Sequence, residues 1–242
     1  MHETELWTTK LFNDHLAGVG NALLGIVGRH AERPWADFIV MQLLVAIFIV
    51  ILFAILKPRL SVDSPGKLQH SLELVHEFVS GQAEEQVGHD GHKYIAYFGT
   101  IFIFILFANL IGIIPGFESP TMIPSVPAGC AIATFLYYNF MGFQANGVGK
   151  YLAHFAGPMP ILAPLMIPIE FISHLARPLS LTIRLFANMY AGEQVTAVFL
   201  RLTFLLVPAV FMGLHVLVSL LQAYIFMLMT MMYVAGAVAH EH

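Results

Sequence analysis

At 242 residues, 58% hydrophobic and only 11% charged, the chain carries about half the charged share of an ordinary soluble domain, which excludes a soluble class and indicates a membrane protein. Its net charge of −4 falls mostly in one loop and leaves no basic face for a nucleic acid, so no such partner is expected. The single cysteine, Cys130, excludes an internal disulfide and reads as a small packing residue in an apolar run.

The first residues, MHETELWTTK, lack a basic flank leading straight into a short apolar core. Insertion is therefore expected to use internal hydrophobic segments rather than a cleaved signal peptide, and residues 1–35 read as lying outside the core. Residues 38–56, FIVMQLLVAIFIVILFAIL, are interrupted only by Gln42. As a helix they reach about 28 Å against a hydrocarbon core of roughly 30 Å, placing a first span within 36–57.

A polar loop, 58–93, follows, with Arg59, Lys67 and Lys93 among several acids and His70, His76, His89 and His92. Within it Leu68, Leu72, Val75 and Val79 recur at spacings of four and three, which predicts an amphipathic helix on a surface or interface. His89 and His92 offer imidazoles, but no thiolate or fixed geometry accompanies them, so the loop reads as solvated and no metal is expected.

A second span occupies 94–115 and is closed by Pro115–Gly116. A third lies within 122–145, with small residues first and Tyr137, Tyr138 and Asn139 near its end. The remainder, 158–206 and 207–240, predicts two long helices. Residues 207–239 carry no ionised side chain unless His215 is protonated. If helical throughout they extend about 50 Å, beyond the apolar thickness, so they must tilt, bend or protrude. Pro208, Gly213 and Gly236 permit a break there, as Pro168 and Pro178 do in the preceding segment. The preferred reading is a strongly tilted hairpin.

The fold class predicted is all-α and polytopic, with about five spanning helices plus the interfacial one. The cations alternate weakly between loops, Glu118 standing without a cation in 115–125 and Lys150 in the next loop. This places the N-terminus outside and the C-terminus inside.

The polar residues set in these apolar helices carry the functional signal. An arginine at the centre of a membrane helix costs about 2.5–3.5 kcal/mol on insertion scales and ordinarily faces protein or a water-filled cavity. Arg184 lies in such a setting, in LSLTIRLFANMYAGEQV, 179–195. Arg177 and Arg201 read instead as cations reaching for a helix end. At about 100° per residue, Asn188 lies roughly 40° from Arg184 and Glu193 about 180° away, which argues against an Arg184–Glu193 ion pair within the helix. On the last segment His215, Ser219 and Gln222 form one polar stripe that must meet polar company. Packed antiparallel, the two segments bring that stripe to Arg184 and Glu193, an acid and an imidazole suited to passing protons through water. Glu170 is a further acid in an apolar setting, with the alternative role of capping the wet end of its helix. The sequence holds no Gly-rich phosphate loop, thiolate metal set or nucleophile elbow, so no catalytic site or cofactor is expected on this chain.

These residues resemble subunit a of the rotary F-type ATP synthase, the stator protein beside the membrane rotor. IEFISHLARPLSLTIRLFANMYAGE, 169–193, carries the family's Glu, Arg-Pro, Ser-Leu and RLF-x-N-M-x-A-G-E elements, and HVLVSLLQAYIFMLMTMMYV, 215–234, is similar to its final helix. PGKLQHSLELVHEFV at 65–79 and NLIGIIPGFESPT at 109–121 extend the likeness more weakly. The resemblance implies that Arg184 is the essential arginine facing a ring of c subunits, each with a membrane-embedded carboxylate, and that Asn188 and Gln222 lie near it. It implies that Glu193 and His215 belong to a proton-entry half-channel, with Asn109 a lining residue, and Glu170 and Ser180 to an exit half-channel. It further implies peripheral-stalk b subunits and lipid as partners, H+ as the transported ion with Na+ left open, and a bacterial inner membrane as the location. Ala187 stands where glycine is common, and Gly112 where some members place an acid on the entry path.

Two rivals use the same buried charges. A self-contained secondary transporter commonly has two repeated halves and a broken helix at the midplane, and no repeated halves are visible here. A non-conducting scaffold would tolerate leucine at position 184.

Overall fold

The computed structural model describes residues 6–25, 31–61, 66–114, 116–154, 163–202 and 206–238. The opening MHETE, residues 158–162 at the start of the expected hairpin, residues 239–240 at its end, and the side chains of His89, Lys150 and Arg201 lie outside the described residues. The helices are α1 (Trp7–Gly25), α2 (Asp37–Leu56), α3 (Lys67–Val87), α4 (Ile95–Leu110), α5 (Ser125–His154), α6 (Ala163–Leu202) and α7 (Leu206–Val238). Short 3-10 turns at Lys57–Arg59, His89–Tyr94, Ile111–Ile113 and Pro120–Met122 join some of them. There is no strand among the described residues.

Among the described residues, three helical stretches are long and apolar enough to cross a membrane: Asp37–Arg59, Asp90–Ile113 and Ala209–Val238. In the first, only 17% of the apolar window is buried, and Ile47, Phe48, Val50, Ile51 and Phe53 are exposed. A hydrophobic face of that extent is expected to meet lipid or a partner helix rather than water. α5 and α6 are more polar, α6 carrying Glu170, Arg177, Arg184 and Glu193.

The main buried cluster draws on α3 to α7, with α7 at its centre. Ala223, Phe226, Met227, Met231 and Val234 of α7 are fully buried against Leu181, Leu185 and Met189 of α6, Phe98 and Ile105 of α4, and Tyr138 of α5. α3 joins this cluster through Val79 and Ala83, while Leu68 at its start is exposed. Tyr224 donates its hydroxyl hydrogen to Oε1 of Gln82 at 3.0 Å, and the Phe78 ring sits beside those of Phe102 and Tyr224. The amphipathic stripe read from the sequence is thus real but displaced toward the C-terminal half of its helix, because α4 and α7 are there to receive it.

α6 and α7 run antiparallel. The Arg177 guanidinium lies over the Tyr233 ring, 5.4 Å from its centroid, Asn188 meets Gln222, and Gly192 abuts His215. Both helices are continuous. α6 runs 40 residues through Pro168 and Pro178, and α7 runs 33 residues past Gly213, so the breaks these residues permit are not taken. At 1.5 Å per residue the two helices measure about 60 and 50 Å, so in a bilayer core of roughly 30 Å they must tilt steeply or protrude. α5 also outruns the expected third span and turns at Gly147, whose φ of 74° and ψ of 155° suit glycine and few other residues.

Before the core, α1 is hung on the entrance to α2. The Asn13 side chain donates to the Trp35 carbonyl and accepts from the Trp35 N–H, at 3.1 and 3.0 Å, and the Trp35 indole donates to the Leu16 carbonyl at 2.9 Å. Trp7 packs edge-on against Phe117 with centroids 6.0 Å apart, touching the loop after α4.

The close approach of α5 and α7 makes a test. A Cβ on Gly142 would stand 2.5 Å from Cε2 of Tyr151 and 3.1 Å from the Ala237 carbonyl, and Asn146 donates to that same carbonyl at 3.1 Å. Gly142→Ala is expected to destabilise the protein by about 1–2 kcal/mol through overpacking. Thermal melting of the detergent-solubilised protein measures this, and an unchanged melting point would reject the contact.

Candidate functional site

The polar residues of α6 and α7 sort into two clusters with Arg184 between them. Arg184 itself is half-buried and, among the described residues, makes no hydrogen bond or ion pair. One turn further along α6, Asn188 donates from Nδ2 to Oε1 of Gln222 at 2.7 Å. Asn188, on the face it shares with Arg184, therefore meets the antiparallel α7.

The first cluster is built from α4, the loop after it, α6 and α7. Glu193 does not pair with Arg184; its Oε1 accepts from the backbone N–H of Ser119 at 3.1 Å. The buried Ser119 hydroxyl donates to the Ala108 carbonyl at 2.9 Å and lies 2.7 Å from the Thr121 hydroxyl. Thr121 donates to Oδ1 of Asn109 at 2.7 Å, and Asn109 donates to the Ser219 carbonyl at 3.5 Å. Asn109, Thr121 and Ser219 are 0% exposed. His215 is buried and its Nδ1 lies 3.1 Å from where a Cβ on Gly192 would stand, which places it beside the residue preceding Glu193. No hydrogen bond joins His215 to Glu193 among the described residues.

Three buried polar atoms of the α7 stripe have no hydrogen-bond partner among the described residues: Nε2 of His215, Oγ of Ser219 and Nε2 of Gln222. Buried polar groups without protein partners are uncommon, and three on one helix face set this stripe apart from the apolar remainder of α7.

The second cluster lies toward the opposite end of α6. Glu170 Oε1 is 3.9 Å from a guanidinium nitrogen of Arg177, which in turn stacks on Tyr233 of α7. Arg177 therefore has protein partners and does not simply reach for the helix end. His174 is buried, with Nε2 2.9 Å from Oδ1 of Asn139 and 3.3 Å from the Tyr138 hydroxyl. Tyr151 donates to the same Asn139 oxygen at 2.9 Å. Ser180 is not brought into this cluster: it is exposed, and its hydroxyl donates to the Arg177 carbonyl of its own helix at 3.1 Å.

Ser119, Thr121, His174, Asn139 and Tyr151 escape the sequence reading as site residues. Glu170, His174 and Arg177 fall at spacings of four and three, the same one-face pattern that identifies His215, Ser219 and Gln222, so that signal was present. Ser119 and Thr121 lie in a turn where polar residues are ordinary, and only their burial sets them apart.

Between the clusters sit Leu181, Leu185 and Met189 of α6 with Ala223, Phe226, Met227 and Met231 of α7, all buried. Glu170 and Glu193 are 23 positions apart on one continuous helix, about 35 Å along its axis. The arrangement offers two acids, each in its own polar network, separated by a packed apolar layer with an unpaired cation on the helix between them.

The family model described as ATP synthase A chain matches residues 38–235. The chain is similar to ATP synthase subunit a of Solibacter usitatus (strain Ellin6076), 78% identical over 233 residues that make up 96% of this chain and 100% of that one. It is similar to ATP synthase subunit a of Koribacter versatilis (strain Ellin345), 46% identical over 241 residues, 98% of each chain. ATP synthase subunit a of Aquifex aeolicus (strain VF5) is 39% identical over 84% of this chain and 97% of its own length.

Proposed function

The chain belongs to the ATP synthase A chain family, and from that premise we propose that it lines two offset proton half-channels and presents Arg184 to the carboxylates of a rotor ring. What supports this reading above all is the placing of Arg184, half-buried and unpaired among the described residues, between two polar clusters that an apolar layer keeps apart.

A rotor carboxyl facing lipid stays neutral, because burial penalises its charged form. A cation about 4 Å away, at an effective dielectric near 20, favours the ionised form by roughly 4 kcal/mol. Arg184 thereby draws the proton off an arriving carboxyl. Glu193 and His215, with Asn109 beside them, supply protons on the entry side, and Glu170 carries them away on the exit side, where Ser180 stands apart from its cluster as a further residue of the route. Asn188 and Gln222 hold the face on which Arg184 stands. Because a guanidinium keeps its charge at any relevant pH, it also repels a proton moving straight from one half-channel to the other. Protons must then travel with the ring, and each releases about 2.3 kcal/mol per 100 mV of membrane potential.

On this reading the chain catalyses no bond-making itself. It works in a complex with other ATP synthase subunits, the rotor ring and peripheral-stalk b subunits, among lipids of a bacterial inner membrane. α2, α4, α5, α6 and α7 cross that membrane, the N-terminus outside and the C-terminus in the cytoplasm. The ion is H+, with Na+ selection left to the rotor site.

Isolation in mild detergent should recover this chain with a small, very apolar ring-forming subunit. A density map of that complex should place the Arg184 guanidinium about 4 Å from the subunit's membrane-embedded carboxylate. Solute-specific uptake by the chain alone, or Arg184 pointing to headgroups or bulk water, would sink the reading.

A further inference from the structure

Gly112 follows α4 in the Ile111–Ile113 turn, where a side chain would have little to contact if the turn faced solvent. It does not face solvent. A Cβ at this position would stand 2.5 Å from Oε1 of Glu193, 3.0 Å from the Ser119 N and 3.0 Å from the Ser119 Cβ. The first distance is shorter than real Cβ contacts allow, and the atom it meets is the oxygen that accepts from the Ser119 N–H. In this chain the carboxylate oxygen, with Ser119 beside it, thus occupies the space that a Cβ at 112 would fill.

We infer that Gly112 is a positioning residue for Glu193: its missing side chain is the slot that seats Oε1 on the backbone N–H of Ser119. The inference rests on the reading of Glu193 as part of the proton path. A backbone N–H can donate a hydrogen bond but cannot accept one, so the seated oxygen is fixed as an acceptor. Oε2 is left as the oxygen that takes up and releases protons. The hydroxyls of Ser119 and Thr121 hold the amide in place by anchoring the turn to the Ala108 carbonyl and to Asn109. Gly129, beside which a Cβ would meet nothing within 4 Å, provides a control for glycine replacement as such.

A double-mutant cycle in the assembled complex tests this, reading passive proton conductance of rotor-containing vesicles and the melting temperature of the solubilised complex. Gly112→Ala is expected to lower conductance about tenfold and to lower the melting temperature, whereas in a Glu193→Ala background, where the obstructing carboxylate is gone, the same change should alter conductance by less than about twofold. Gly129→Ala should change neither. If Gly112→Ala fails to assemble, Gly112→Ala/Glu193→Ala should assemble as fully as Glu193→Ala alone. Equal effects of Gly112→Ala in both backgrounds, or failure of both to assemble, would overturn the inference. Wild-type conductance in Glu193→Ala would instead overturn the proton-path reading of Glu193, leaving the melting temperatures to judge the slot.

Discussion

Vesicles carrying the assembled complex with Arg184→Ala are expected to lose ATP-driven proton pumping entirely. The guanidinium is half-buried and unpaired within the described chain, so its removal takes no internal ion pair with it and the helix should still fold. What is lost is the roughly 4 kcal/mol by which a cation about 4 Å away favours an ionised rotor carboxyl, about a thousandfold in that equilibrium. The electrostatic barrier between the two clusters goes with it. Arg184→Lys is expected to restore little, since an ammonium lacks the planar fork of donors and is more strongly hydrated. Acidification followed by a pH-sensitive dye measures the outcome, and normal coupled pumping by Arg184→Ala would reject the assigned role.

The second large effect is expected at the other end of the path. Glu193→Gln should slow passive proton uptake through the membrane sector by about a hundredfold, the usual contribution of a positioned proton-transfer group. This substitution is informative because a glutamine oxygen can still accept from the Ser119 N–H, so the 3.1 Å contact need not be lost and the fold is spared. His215→Ala should also slow uptake, since it removes the only imidazole of the α7 stripe. Unchanged conductance in both variants would remove the first cluster from the proton route.

How far the sequence reaches depends on what kind of signal a residue leaves. α2 and α4 are legible because a long apolar run has one physical solution in a membrane. The antiparallel meeting of Asn188 and Gln222 follows from two polar stripes that cannot both face lipid. The Ser119 amide leaves no such trace: it is backbone, identical in every residue but proline, and only the tertiary approach of a turn to α6 gives it a role. Helix continuity is likewise illegible locally. Pro178 withholds one N–H and permits a break, yet α6 continues through it, with Leu181 and Leu185 packed on α7 just beyond. The stripe of α3 is legible only in part, since periodicity marks a face and does not say which part of it finds a partner: Val75 and Val79 pack on the core while Leu68 is exposed.

The packed layer between the clusters bears on how a membrane voltage would fall along the hairpin. From Gln222 to Tyr233 is 11 residues of α7, about 16 Å along its axis. If water follows the polar atoms inward from each side, the voltage no longer falls evenly over the roughly 30 Å of hydrocarbon but mainly across this septum. The local gradient is then about twice the average, and it is steepest where Leu185 and Met227 are packed and Arg184 stands. The greasy middle of the hairpin would act as a thin insulator, concentrating the voltage on the stretch of α6 and α7 that carries Arg184.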